Sequence, residues 1–250
     1  MGERIRLTSA PGERPGATVP RIEISKDAVT RALIVSVIVI HLLNIPAVAF
    51  KYLWPPHWAR AYYTQMFQVS SEGKIPTWYS GCTLLAAALF LGLIAAHESL
   101  RRGRYRRHWT ALGVIFFLMA MDEVVAIHEM STEPIRYLLA ITRGPLYFAW
   151  VIPAMGFLAF MAFAYFRFVF DLPPRSRWLF VIAGAVYVGG AVGMEMVGST
   201  YAAAYGYDFM YGALATFEEV LEMSGMVLFL YGLMDHLERY APDSAVRFGP

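Results

Sequence analysis

A single cysteine, Cys82, in 250 residues excludes an internal disulfide framework and a cysteine-rich zinc site. Charge is scarce as well: Asp, Glu, Lys and Arg make up 16% of the chain against 58% hydrophobic residues, and the formal net charge is only +2. That balance is too apolar for an ordinary soluble domain and too weakly basic for a nucleic-acid partner. Also missing are a phosphate-binding glycine loop, a serine-nucleophile elbow, an HExxH zinc motif and an internal repeat. What is present is a series of long apolar runs, and these predict an all-α protein: a polytopic integral membrane helical bundle of about six transmembrane helices.

Residues 1–27 mix arginine, proline and acidic residues with no apolar run long enough to pack, which predicts a flexible cytosolic tail. Residues 28–235 form the transmembrane domain. At about 20 residues per crossing, its spans are expected at 29–50, 83–100, 109–130, 146–170, 178–199 and 211–233, and residues 236–250 read as a second cytosolic tail. The connection at 51–80 is the longest and is crowded with Trp, Tyr and Pro. It reads as an interfacial belt with one short surface helix, or as a lid over a site opening on that side. In the fifth span, Gly184, Gly189, Gly190 and Gly193 form a small-residue run that lets a neighbouring helix approach. Basic residues gather in the N-terminal tail, the 101–107 loop and the turn at Arg175 and Arg177. This bias places both termini in the cytosol of a bacterial inner membrane, with the aromatic connection outside.

The stretch 119–130, MAMDEVVAIHEM, puts Asp122, Glu123, His128 and Glu129 into one apolar span. On a continuous helix Asp122 and Glu129, seven residues apart, fall within about 20° of each other, with Glu123 and His128 flanking that face. A charged side chain at bilayer depth costs at least about 2.5 kcal/mol and therefore faces a bundle interior or a wet cavity. His41, Glu195, Glu218, Glu219 and Glu222 stand on other spans. At about 1.5 Å of rise per residue, all of these groups fall in the outer half of the bilayer. Convergence on one site is the expectation. His97 and Glu98, beside the arginines of 101–107, read as interfacial partners of those arginines instead.

Crowded carboxylates in a low dielectric require either protons or cations. Facing helices that supply Glu and His build carboxylate-bridged di-iron and di-manganese sites, and Glu219-x-x-Glu222 with Glu195 resembles part of that pattern, although no Glu-x-x-His occurs. The ligand chemistry carries over without the family. It implies a divalent metal, iron, manganese or zinc, with His41, Asp122, His128, Glu129, Glu195, Glu219 and Glu222 as ligands and Glu123 and Glu218 as catalytic proton carriers. The resulting expectation is a metal-dependent membrane hydrolase or oxidoreductase acting on a lipid or other apolar small molecule. Two alternatives use the same carboxylates: a proton- or cation-coupled transporter, and an accessory subunit that pairs with basic groups of a membrane-protein partner. For His41 the competing reading is a helix-to-helix hydrogen bond, and for Glu129 a solvated helix end.

Overall fold

The computed structural model describes residues 22–69, 73–241 and 246–249, so the tail at 1–21 lies outside the described residues. The order of elements is β1 (Ile22–Ser25), α1 (Lys26–Leu53), α2 (Trp58–Phe67), α3 (Ile75–Leu100), α4 (Arg106–Val125), α5 (Ile127–Leu138), α6 (Val151–Asp171), α7 (Pro174–Val188), a π-helical stretch (Gly189–Met194), α8 (Glu195–Tyr205), α9 (Phe209–Tyr240) and β2 (Val246–Gly249). Among the described residues the regular structure is helical apart from β1 and β2, which pair in parallel with Ile22 opposite Val246. Thus residues 22–27, expected within the tail, form a strand and the start of α1.

Among the described residues five helices are long and apolar enough to cross a membrane: α1, α3, α4, α6 and the continuous unit Pro174–Tyr205. Their outward faces are apolar. On α1 alone Ile34, Val35, Ile38, Val39, Leu42 and Ile45 are exposed, a pattern costly in water and suited to lipid. The sixth expected span, α9, is not among the five. It is the hub of the bundle instead and carries Met223, Leu230, Leu233, Met234 and Leu237, among the largest fully buried side chains. Its first turns meet the far end of α1, where a Cβ on Gly212 would come within 2.9 Å of Val48 and 2.7 Å of Tyr52. Its last turns meet the start of α1, so α9 runs the whole length of the bundle antiparallel to α1.

At that shared end Asp235, fully buried, accepts from three cations: Lys26 at 3.2 Å, Arg175 at 2.8 Å and Arg239 at 3.1 Å. Lys26 also reaches Glu238 at 2.6 Å. Nearby, the Tyr105 hydroxyl donates to Asp171, and Arg104 lies 3.2 Å from the same carboxylate. The starts of α1, α4 and α7 and the ends of α6 and α9 are thereby fastened together. The two described ends, β1 and β2, pair on this side, with the arginine-rich 101–107 loop near the same end of the bundle.

Candidate functional site: an acidic chamber between the helices

The acidic motif is not one helix. Ala126 adopts a left-handed conformation (φ 58°, ψ 39°), closes α4 through its N–H on the Asp122 carbonyl at 2.7 Å, and starts α5 in a new direction. A left-handed alanine costs about 1 kcal/mol, and such strain collects at functional sites. The expected alignment of Asp122 with Glu129 on one face therefore does not occur, and the expected span 109–130 ends at Val125. His128 folds back instead. Its backbone N–H donates to Asp122 Oδ1 at 3.0 Å, and its ring Nδ1 lies 2.7 Å from Oδ2. One carboxylate thus satisfies a first-turn N–H of α5, as a capping side chain does, and orients the imidazole as well.

Across the chamber the backbone is irregular again. The π-helical stretch leads directly into Glu195, and a π-bulge inside an α-helix is frequently a functional device because it re-aims the residues after it. Within it Gly190 presses on α9: a Cβ there would meet the Glu218 carbonyl and Glu222 Cγ, each at 2.9 Å. Gly184, Gly189 and Gly193 face open space, so of the small-residue run only Gly190 brings the helices together. Glu195 accepts from Trp150 Nε1 at 2.8 Å and hydrogen-bonds to Glu218 on α9. Two carboxyl groups can share a hydrogen bond only if one carries the proton. The Trp150 ring lies 4.7 Å from that of His128. Asp122, His128, Trp150, Glu195 and Glu218 thus form a chain of contacts across α4, α5, the entry to α6, α8 and α9.

These groups line one end of a half-open chamber of about 1040 Å³. Asp122, Glu123, His128, Glu129, Glu195, Glu218, Glu219 and Glu222 all line it, whereas His41 does not. The His41 ring bonds the Val37 carbonyl of its own helix at 2.8 Å through Nδ1, so that nitrogen makes no helix-to-helix bond. Among the described residues no group of three or more His, Cys, Asp and Glu side chains is arranged to hold a metal ion. Tyr187, on α7, stands near Glu222, Glu123, Glu219 and Asp122. It and Trp150 were not singled out from sequence, where each reads as one more aromatic of a membrane protein.

Away from the carboxylates the lining is apolar: Trp109, Leu112, Phe116 and Met119 of α4, Phe157, Leu158 and Met161 of α6, Phe180 of α7 and Phe229 of α9. The cause is the position of α6. It is fastened at its C-terminal end, where Tyr165 donates to the His108 carbonyl at 3.0 Å and Phe168 packs on Trp109. At the other end it is held by the Trp150 bond and by Phe148, whose N–H donates to Ser199 at 2.9 Å. Between these fastenings it stands off the bundle, with Phe157 and Phe163 exposed. From Trp109 to Asp122 the cavity follows about 20 Å of helix. Among the described residues of the aromatic connection, Val69 and Thr77 reach this chamber.

No curated protein and no solved structure matches the chain. A family model matches residues 31–237, which takes in the five apolar helices almost entirely, the chamber and α9 as far as Leu237. The chain belongs to this family, described as a domain of unknown function (DUF8692).

Proposed function

We propose that this integral membrane protein binds an elongated amphiphile in the chamber, with its apolar chain along α4 and α6 and its polar head at the carboxylates. The observation that carries this reading is the division of one cavity into an aromatic, apolar length and an acidic end. A gap beside α6 would let such a molecule enter from the lipid. The acidic end calls for positive charge, because Asp122, Glu123, Glu195, Glu218, Glu219 and Glu222 are accompanied by one imidazole and by Arg136, whose guanidinium is engaged by Glu133 and stacks 4.3 Å above Tyr147. A cationic head would satisfy it. So would a divalent iron, manganese or zinc held jointly by an anionic head and by oxygen ligands among Asp122, Glu219 and Glu222. With a metal bound, Lewis-acid activation of water or dioxygen is the chemistry available, with Glu123 and Glu218 carrying protons and hydrolysis or oxidation of the amphiphile as the reaction.

The alternative of a proton-coupled transporter draws support from the Glu195–Glu218 hydrogen bond, which needs a proton that could be loaded and released. We place the fastened end with its arginines in the cytosol of a bacterial inner membrane, with α9 as a sixth crossing, following the lysine and arginine bias. The test is extraction and mass spectrometry of molecules retained by the purified protein, with metal analysis, for the wild type and the Glu219→Gln variant. We expect a retained amphiphile in the wild type, lost or reduced about tenfold in the variant, with thermal stability unchanged. An empty wild type that takes up protons or cations after reconstitution in liposomes would replace the binding chamber with the transporter.

A further inference from the structure

The bundle holds a second cavity, of about 600 Å³, under the aromatic connection, and none of its lining residues borders the acidic chamber. Lys51, His57, Trp58, Arg60, Thr64 and Lys74 line it together with neutral residues, so among the described residues three cations and no carboxylate face the space. Arg60 is committed to the fold. Its guanidinium donates to the carbonyls of Lys51 and Trp54 and closes the C-terminal end of α1. The two lysines are not so engaged. Lys51 lies 5.2 Å over the Tyr52 ring, and Lys74 donates to the Thr64 carbonyl at 3.4 Å. Neither has an acidic partner among the described residues. Burial, and secondarily the Lys51 charge, pushes the Lys74 ammonium down to about 8. Two half-buried like charges held near one another are costly unless an anion joins them.

The surroundings say where that anion comes from. Around the cavity Trp54, Trp58, Tyr62 and Met66 are exposed. Exposed Trp and Tyr on a short helix joining two apolar helices are the composition of a membrane interface, where indoles sit at headgroup depth. We infer that the cavity between α2 and the start of α3 is a binding site for the phosphate of an anionic membrane phospholipid, with Lys51 and Lys74 as the phosphate-binding cations and the exposed aromatics of α2 against the adjoining lipid. Lysine suits this role as a compact charge with three donors that follows a phosphate without a fixed fork geometry. The site is independent of the chamber and of whatever that chamber binds.

The experiment uses the full chain in nanodiscs of phosphatidylglycerol or of phosphatidylcholine, with lipids retained after transfer to detergent counted by native mass spectrometry. Wild type should retain phosphatidylglycerol over phosphatidylcholine by about thirtyfold, the effect of two lysines at a membrane surface, and Lys51→Gln/Lys74→Gln should bring the ratio near one. Lys51→Arg/Lys74→Arg, which keeps the charge, should retain most of the preference and serves if the glutamine variant fails to fold. The preference should weaken as pH rises past about 8, where Lys74 sheds its proton while Arg60 stays charged. A wild type without preference, or a glutamine variant that keeps it, overturns the inference. Inorganic phosphate that displaces the lipid fully at millimolar concentration would show a soluble-anion site instead and overturn it equally.

Discussion

The two ends of the bundle handle buried charge in opposite ways. At the fastened end one carboxylate, Asp235, is surrounded by Lys26, Arg175 and Arg239, and every charge has a partner within 3.2 Å. At the other end six carboxylates on α4, α8 and α9 line one cavity with His128 and an Arg136 already paired to Glu133. The first arrangement gives each charge a partner and buries Asp235 completely. The second neither neutralises itself nor fills its space. Buried charge matched by opposite charge holds helices in register, whereas carboxylates gathered beside a cavity cost stability unless a ligand or proton enters. The backbone agrees with this division. The left-handed Ala126 and the π-helical stretch both lie against the chamber, while α9 continues as regular helix through Asp235.

If this contrast is sound, the largest effect belongs to Asp235. Asp235→Asn leaves Arg175 and Arg239 without their carboxylate, and Lys26 with Glu238 alone, and should destabilise the protein by about 3 kcal/mol, as breaking a buried ion pair does. Thermal unfolding in a mild detergent reads this directly, and a loss below that of a surface substitution would erase the distinction between the two ends. It stands against the Glu219→Gln variant, for which ligand retention and not stability is expected to fall.

A middle-sized effect is expected at Gly190. Gly190→Ala places a methyl group 2.9 Å from the Glu218 carbonyl and Glu222 Cγ. Overpacking of this kind costs about 1 to 3 kcal/mol. The strain falls on the two helices that carry Glu195, Glu218 and Glu222, so the variant should lose both stability and the retained amphiphile. Gly189→Ala, with open space at its Cβ position, is the matched control and should retain both.

The smallest effect is at Asp208, a carboxylate at the acidic end that serves structure alone. Its side chain caps α9 by accepting from the Tyr211 N–H at 3.0 Å and also accepts from the Tyr201 hydroxyl at 2.8 Å. These bonds, the Tyr211 N–H foremost, hold its carboxyl below the usual range. A carboxyl lowered in the folded state contributes stability at neutral pH that is lost as the pH falls from the ordinary carboxylate value through the lowered one. Asp208→Asn should therefore lower the melting temperature slightly at pH 7 and make its decline in acid shallower. An unchanged acid profile would remove Asp208 from the cap.

Much of the site was legible because charge in an apolar span is conspicuous. Asp122, Glu123, Glu195, Glu218, Glu219 and Glu222 stood out against their neighbours, and counting residues from the basic loops put them at one depth. The same counting placed His41 with them, yet depth does not specify direction around the helix axis, and its ring bonds back to Val37. Trp150 escaped notice because an indole at the start of a span is ordinary in a membrane protein. Asp235 was not singled out from sequence, lying just past the expected end of the last span at residue 233. Its importance comes from Lys26, which lies 209 residues away and has no sequence relation to it.

By itself the sequence determined the helical architecture, the apolar faces suited to lipid and the common side of the two described ends, since each follows from hydropathy and the placement of basic residues. Only the tertiary structure decided that α4 breaks at Ala126, that a π-helical stretch carries Glu195 toward Glu218, and that α6 stands away from its neighbours to leave a chamber. Each depends on how side chains from distant segments pack and bond, and the spacing of residues along one chain holds no record of that.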